Sequence, residues 1–281
     1  MGLQQAKIES LRFVTAELNY LAPTTGKPRT YAFDPPPGEP KTTALPEPHR
    51  VPIFDARQIA GSVSLDREGF AIVRHPTSVE NFYNDKEIKN VYYPAVEAFL
   101  RATLKVDRVF IFDHTVRKRA EGAADVRGGG PRQPATRVHV DQTDLSGRNR
   151  VREHLPDEAD ELLKGRVQVI NLWRAIRGPL LDAPLAMCDA QTLAPGDLVA
   201  SDLIYPNRSS ETYSVKFSPR HRWFYFPEMT VHEALLLKCY DSADDGRARF
   251  APHTAFVDPT TPADEPPRES IEVRTLVFHK H

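Results

Sequence analysis

The sequence predicts a mainly β protein with flanking helices. From about residue 108 onwards, short runs rich in β-branched and aromatic residues alternate with polar, Gly and Pro punctuation, a pattern typical of β-sandwiches and barrels. Helical character is concentrated in residues 84–104 and 146–164. At 281 residues and 40% hydrophobic content, an all-β chain of this size often folds as one unit without disulfides.

The N-terminal region is predicted to be an extended arm followed by a helix. Residues 1–55 look extended, because many of the 25 prolines cluster in residues 23–52 and proline lacks the N–H that a helix needs. Asn84, with Glu87 three positions on, predicts a helix N-terminus. Pro94 should kink that helix, which we expect to pack outside a sheet.

Residues 108–281 are expected to form the core on which residues 1–107 pack, most simply as one integrated domain. The charged helical insert separates the second predicted strand from the third. The predicted strands lie at residues 108–118, 136–143, 167–176, 184–193, 197–205, 211–217, 222–229, 234–242 and 270–278.

Charge and composition exclude several classes of partner. The formal net charge is −1, so nothing favours nucleic acid or an anionic membrane. The N-terminus lacks the apolar segment of a signal peptide, and no apolar run approaches membrane-spanning length. Cys188 and Cys239 lie in apolar stretches where buried thiols are common. We therefore expect a cytoplasmic protein.

The sharpest local feature is His139-Val140-Asp141. Residues i and i+2 of a strand point to the same face, so the imidazole and the carboxylate would project together. Such a pair forms two corners of the facial triad of non-haem iron(II) oxygenases. On its own the motif is weak, because a surface histidine beside an aspartate gives the same tripeptide. Two histidines are candidates for the third ligand, His253 and His232.

An anchor for a carboxylate co-substrate is expected on the last strand. The period of two places Arg268, Ser270, Glu272 and Arg274 on one face. Inside a barrel this row would bind a carboxylate, although Arg274 could equally be neutralised by Glu272 or another carboxylate. Arg174 is a further candidate, since it shares a face with apolar neighbours. Three aromatic residues are weaker candidates for the wall of a substrate pocket: Trp173, Trp223 and Tyr225.

Residues 108–278 resemble the CmcJ/AsaB-type family of hydroxylases and desaturases. This family includes the fungal gibberellin desaturase, the cephalosporin methoxylation subunit and fungal aziridine-forming enzymes. The resemblance is carried, in order, by HVDQT (139–143), NLWRAIRGPLLDAPLAMCDAQT (171–192), YSVKFSPRHRWFYFPEMT (213–230), EALLLKCYDS (233–242), RFAPHTAFVDP (249–259) and PPRESIEVRTLVF (266–278).

The resemblance implies a double-stranded β-helix core (jelly-roll or cupin-like) and an oxygenase that uses Fe(II), 2-oxoglutarate and O₂. It implies His139 and Asp141 as iron ligands, and it favours His253 over His232 because APHTAF belongs to the shared pattern. Arg268 then follows at about the interval expected for the arginine that binds 2-oxoglutarate. The expected reaction is oxidation of an unactivated C–H bond of a small secondary metabolite by hydroxylation, desaturation or cyclisation.

Two other functions stay open at this point. One is an iron oxygenase that does not use 2-oxoglutarate. The other is a non-catalytic barrel that assists a partner oxygenase. The oligomeric state is not readable from the sequence: an apolar strand such as residues 222–227 could serve a homodimer interface, but a core position is the more common role.

Overall fold

The computed structural model describes residue 8, residues 10–123, residue 125 and residues 130–279. Two β-sheets make up most of this part of the chain. One has nine strands in the order β1-β3-β11-β8-β13-β6-β10-β9-β2, and the other has five in the order β4-β12-β7-β14-β5. The expectation of a mainly β protein with flanking helices is confirmed.

The nine-stranded sheet combines strands from both ends of the sequence. It contains β1 (Phe13–Leu21), β2 (Arg29–Tyr31), β3 (Pro46–Asp55), β6 (His139–Val140), β8 (Leu185–Cys188), β9 (Leu198–Ile204), β10 (Ser209–Val215), β11 (Trp223–Tyr225) and β13 (His253–Ala255). Most of these strands pair antiparallel, but β2 pairs parallel with β9 and β11 pairs parallel with β3.

The five-stranded sheet is antiparallel and carries the main helix on its outer face. Its strands are β4 (Phe70–Arg74), β5 (Arg108–Lys118), β7 (Val167–Ala175), β12 (Glu233–Asp241) and β14 (Glu269–Phe278). The helices are α1 (Asp85–Glu87), α2 (Tyr93–Leu104), α3 (Asp144–His154) and α4 (Ala159–Leu162), with short 3-10 turns at Arg57–Ile59, Ala190–Thr192 and Pro195–Asp197.

Alternating side chains of the strands build separate hydrophobic layers. The central cluster lies between the two sheets and contains Trp173 from β7, Met187 from β8 and Phe224 from β11. A second cluster joins the outer face of the five-stranded sheet to α2, through residues such as Leu172 and Val96. Burial of these apolar faces is the main force that holds each layer together.

The helix predicted at residues 84–104 is present, with a local change of winding. Asn84 caps it, because its side chain accepts hydrogen bonds from the backbone N–H groups of Lys86 and Glu87. Residues Ile88–Tyr92 adopt a π-helical turn, and Pro94 lies in the first turn of α2 that follows. The helix runs on without a break, and the π-helical turn directly before Pro94 interrupts the regular i→i−4 hydrogen bonds at the position where proline has no N–H to donate.

The proline-rich arm contributes strands to the nine-stranded sheet. β3 carries Pro46, Pro48 and Pro52, all at even positions, so their missing N–H groups point to one edge. One edge of β3 pairs along its whole length with β1, whereas the other edge pairs with β11 only through the last three residues of β3. The edge towards β11 therefore needs few N–H donors. The division into residues 1–107 and 108–281 stays a prediction.

Both cysteines are free, buried thiols. Burial raises the pKa of Cys188 to about 12. Trp223, Phe224 and Phe226 are fully buried, so this apolar strand belongs to the core. Within the described part of the chain, no helix is both long and apolar enough to span a membrane.

Candidate metal centre

Sheet pairing brings two histidines and an aspartate together. His253 on β13 lies directly opposite His139 on β6, and their rings are 4.5 Å apart between centroids. Asp141 follows two residues after His139, and ligand atoms of the three side chains all lie within 4.8 Å of one another. Val140, between the two ligand-type residues, is fully buried in the hydrophobic core.

Backbone carbonyls orient both imidazoles in the same way. His139 Nδ1 lies 2.8 Å from the carbonyl oxygen of Arg137, and His253 Nδ1 lies 3.0 Å from that of Ala251. A carbonyl only accepts, so each Nδ1 carries a proton, and the neutral form of each ring has its lone pair on Nε2. His139 Nε2 is 3.4 Å from Asp141 Oδ1. Burial lowers the pKa of His253, which favours the neutral ligand form.

Asp141 is held as a carboxylate by its neighbours. Its Oδ2 accepts hydrogen bonds from Asn171 Nδ2 at 2.8 Å and from Arg274 Nε at 3.1 Å. Burial raises the pKa of Asp141, but Arg274, His139 and His253 together outweigh this effect and hold that pKa well below its usual value. Two neutral imidazoles and one ionised carboxylate form the donor set of non-haem iron(II) sites, so the residues fit this metal.

Arg274 lies within a cluster of carboxylates. Besides Asp141 it forms ion pairs with Glu272 and with Asp113, whose Oδ2 lies 3.1 Å from its Nη1. Thr115 Oγ1 accepts a further hydrogen bond at 2.9 Å. These contacts occupy the donors of Arg274. They agree with the second possibility given above, that carboxylates neutralise Arg274. The structure therefore places Arg274 as the outer support of Asp141.

Arg268 lies inside the fold without a carboxylate partner among the described residues. Its Nε donates to Ser270 at 3.1 Å, its Nη1 donates to the carbonyl of Ala183 at 2.8 Å, and its guanidinium lies 4.9 Å from the ring centroid of Trp173. Burial, followed by the positive charge of Arg117, lowers the pKa of Arg268 to about 9. A desolvated cation of this kind is a suitable partner for an anion.

Arg117 is a second such arginine, and the sequence analysis missed it. It lies on β5 directly opposite Ser270, and its Nη1 donates to the carbonyl of Gln133. Burial lowers the pKa of Arg117 as well, and no carboxylate of the described residues lies within ion-pair distance. Val116, directly before Arg117, faces the helix layer, so local alternation gives Arg117 its inward direction. A bulge between Ile111 and Asp113 breaks the alternation along β5 and hides this signal in the strand as a whole.

Several other predicted site residues lie elsewhere. Arg174 faces the helix layer, where it contacts the rings of Phe82 and Tyr92 and donates to the carbonyl of His75. His232 is exposed in the segment before β12 and is not part of the triad.

The register also separates the aromatic candidates. Phe224 lies opposite Met187, which lies opposite His253, so these three side chains share the face of the metal centre. Trp223 and Tyr225 therefore point to the other face, into a separate cluster where Trp223 Nε1 donates to Tyr20. Trp173 is on the inner side, against Arg268.

A cavity of about 1120 Å³ opens beside His139 and Asp141. This volume is slightly larger than that of most small-molecule sites, which measure about 300–1,000 Å³. Its wall includes Arg117 and Arg274, residues of the N-terminal arm and residues of the β9–β10 hairpin. The apolar part of the lining consists mainly of Tyr31, Phe33, Phe112, Pro134, Leu203 and Tyr205.

Comparisons with known proteins agree with this site. The sequence model of a family described as "Oxidoreductase/YMDC permease-like domain" matches residues 18–278. The chain is 35% identical over 251 residues to the hydroxylase/desaturase efuI of Hormonema carpetanum, covering 81% of this chain and 83% of that protein. It is 31% identical over 280 residues to the Fe(II)/2-oxoglutarate-dependent dioxygenase nvfI of Aspergillus novofumigatus, covering 96% and 99%.

The chain belongs to the hydroxylase/desaturase family of Fe(II)/2-oxoglutarate-dependent dioxygenases. The solved structure of the iron and alpha-ketoglutarate-dependent endoperoxidase NvfI superposes with a TM-score of 0.87 at 29% identity, over 96% of this chain and 99% of that one. The predicted double-stranded β-helix core and the predicted enzyme class are therefore confirmed. Relatives in this family are named for hydroxylation, desaturation and endoperoxide formation, so membership alone does not select one outcome.

Proposed function

We propose that this protein is a 2-oxoglutarate-dependent dioxygenase in which His139, Asp141 and His253 bind iron(II), and that it oxidises an unactivated C–H bond of a small secondary metabolite. The observation that carries the proposal is the set of two Nε2 lone pairs and one ionised carboxylate within 4.8 Å. Three protein ligands on one side leave the remaining positions of the metal open for co-substrate and dioxygen.

With 2-oxoglutarate and dioxygen, the bound iron would supply the oxidising power for the C–H bond. The protein contributes orientation and exclusion of water. Asn171 and Arg274 fix the carboxylate plane of Asp141, and the carbonyls of Arg137 and Ala251 fix the two imidazole planes. Removing such an outer contact typically lowers metal affinity about 10- to 100-fold.

Arg268 and Ser270 are proposed to bind the distal carboxylate of 2-oxoglutarate. The hydrogen bond between Arg268 Nε and Ser270 Oγ orients a guanidinium that has no carboxylate of its own among the described residues. Arg117 is near enough to lower the pKa of Arg268, so two like charges face a common region. An anion between them would relieve that repulsion.

The cavity beside the metal centre is proposed to take the small-molecule substrate. Its size leaves room for a drug-sized molecule beside the co-substrate. Two free thiols, Cys188 and Cys239, are typical of a reducing compartment and support the proposal of a cytoplasmic location.

Anaerobic titration with iron(II) and 2-oxoglutarate tests the proposal. We expect the weak visible charge-transfer band of the ternary complex in the wild-type protein and in His232→Ala, but not in His253→Ala. Loss of iron binding only in His232→Ala would show that the assignment of His253 as the third ligand is wrong. Metal binding without the band, or turnover without succinate, would favour an iron oxygenase that does not use 2-oxoglutarate. No turnover in the absence of a partner would favour the assisting barrel.

A further inference from the structure

Arg137 is a cation to which the described chain gives no anion. It lies two residues before His139, on the side of β6 that carries the metal centre, and it lines the cavity. Its Nη1 donates to the carbonyl of Ala44 at 2.9 Å and lies 3.5 Å from Thr42 Oγ1. Among the described residues, no carboxylate lies within ion-pair distance of its guanidinium.

The side chain of Arg137 is only partly exposed in the wall of the cavity, and none of the described carboxylates compensates its charge there. A guanidinium stays protonated in proteins, so the side chain cannot avoid the cost of desolvation by losing its proton. Removing a cation from water without a counter-ion is costly, and such groups are normally paired. An anionic ligand is the missing partner.

The cavity as a whole has the same charge imbalance. Its lining contains four acidic residues and seven basic ones. Three of the acids are already paired, Asp113 and Asp141 with Arg274 and Asp125 with Arg132. The basic residues of the lining are Lys41, Arg117, Arg132, Arg137, Arg150, Arg208 and Arg274.

The co-substrate does not account for Arg137. One carboxylate of 2-oxoglutarate belongs on the metal and the other at Arg268, on the β14 side of the site. Arg137 reaches instead towards the arm at Thr42 and Ala44, and the arm also supplies Tyr31 and Phe33 to the cavity wall. The counter-ion of Arg137 is therefore expected on a second ligand with an apolar body.

We propose that the substrate is an apolar carboxylic acid whose carboxylate binds Arg137. This inference rests on the proposed function, because it concerns the substrate of the same site. Arg137 lies two residues before His139, and two residues of extended chain span about 7 Å. The carbon that is oxidised near His139 is therefore several bonds away from the carboxylate.

Matched acids and esters test the charge requirement. The probes are 4-phenylbutyrate, 2-naphthylacetate and dehydroabietate, each with its methyl ester, titrated calorimetrically into anaerobic protein that contains iron(II) and 2-oxoglutarate. We expect at least one acid to bind about 10- to 100-fold more tightly than its ester, the difference of about one charge-assisted hydrogen bond. Equal affinity of acids and esters, or no binding of any acid, overturns the proposal.

Variants assign the preference to Arg137. Arg137→Gln keeps a donor for the Ala44 carbonyl but removes the charge, so the acid preference should disappear while ester affinity stays the same. Arg220→Gln is the matched control, because Arg220 is exposed and outside the cavity lining. Arg137→Lys keeps the charge and should retain part of the preference, which also covers a failure of the glutamine variant to fold. An acid preference that survives in Arg137→Gln overturns the proposal.

The same samples separate this inference from the proposed function. A wild-type protein that forms the iron and 2-oxoglutarate complex but does not prefer acids contradicts the substrate class alone. A protein that does not bind 2-oxoglutarate contradicts the proposed function, and acid preference in the metal-free protein then still decides whether Arg137 binds a carboxylate.

Discussion

Two aspartates, the partly buried Asp141 and the fully buried Asp241, both lie among basic side chains but differ in their contacts. Both have a lowered pKa because basic side chains outweigh the effect of burial, and that of Asp241 is about 2. Every oxygen lone pair of Asp241 is engaged: Arg166 donates two hydrogen bonds, Lys238 and Gln168 bind Oδ2, and the N–H of Ala243 binds Oδ1.

Asp141 is supported on one oxygen only. Arg274 and Asn171 bind Oδ2, whereas Oδ1 lies 3.4 Å from His139 Nε2. In a neutral imidazole with its proton on Nδ1, Nε2 is a metal ligand, so a metal ion could be held between Nε2 and the oxygen that Arg274 and Asn171 leave open. The difference teaches that the closed network around Asp241 is built for stability, whereas the open side of Asp141 is available to a metal ion.

The largest effect should follow from removing the charge at Asp141. Asp141→Asn keeps the shape of the side chain but leaves a neutral ligand, so iron(II) affinity and turnover should fall by more than about 100-fold, since even an outer contact is worth about 10- to 100-fold. Metal titration monitored by the charge-transfer band measures this. Full iron affinity in the variant would place the metal elsewhere.

The corresponding change at Asp241 should affect stability instead. Asp241→Asn removes the buried carboxylate that Arg166 and the fully buried Lys238 share, although both keep an ion pair with the more exposed Asp66. We expect the free energy of unfolding to fall by about 3–5 kcal/mol, measured by urea denaturation of the metal-free protein. Asp245→Asn, in an exposed pair with Arg247, is the control and should change it by less than about 1 kcal/mol. Impaired iron binding in folded Asp241→Asn would contradict the distinction.

The stabilising role of Asp241 should also appear in the pH dependence of the free energy of unfolding, with a smaller change than the substitution causes. The folded-state pKa of Asp241, about 2, is below the unfolded value of about 3.9, so its carboxylate stabilises the fold above the unfolded pKa. That contribution, about 2–3 kcal/mol, is lost as pH falls from about 5 towards 2. The stability gap between the metal-free wild type and Asp241→Asn should narrow over this range. A gap that stays constant with pH would show that the ionisation of Asp241 is not its source.

The sequence was sufficient for the local part of the site. A period of two correctly predicted that His139 and Asp141 project together, and that Arg174 shares a face with Ile170 and Leu172. The sequence could not predict which face of β7 lies towards the metal centre. Both faces of this strand are buried, so a continuous apolar run does not distinguish them. Arg174 therefore stayed a candidate although it lies in the helix layer.

The non-local part required the pairing of distant segments. His253 reaches His139 across 114 residues of sequence, and only the register of β13 with β6 places them opposite each other. Arg117 was missed because RVFIFDHTVRK also fits a strand with one solvated face. The prolines of residues 46–52 indicated an extended arm rather than a strand of the sheet, but a strand whose missing donors all lie on one edge tolerates them.

Arg274 provides the finest test of the comparison, because it is the support of Asp141 in the way that Arg166 is the support of Asp241. If Arg274 acts through Asp141, Arg274→Gln should weaken iron(II) binding by about 10- to 100-fold, with little change in 2-oxoglutarate affinity once the metal is saturated. If Arg274 instead binds the co-substrate, 2-oxoglutarate affinity should fall at unchanged iron affinity. Arg166→Gln, which removes the matching contact from Asp241, should leave both affinities unchanged. The contacts of Arg274 with Asp113 and Glu272 favour the first result, because they leave its guanidinium no need for a further anion.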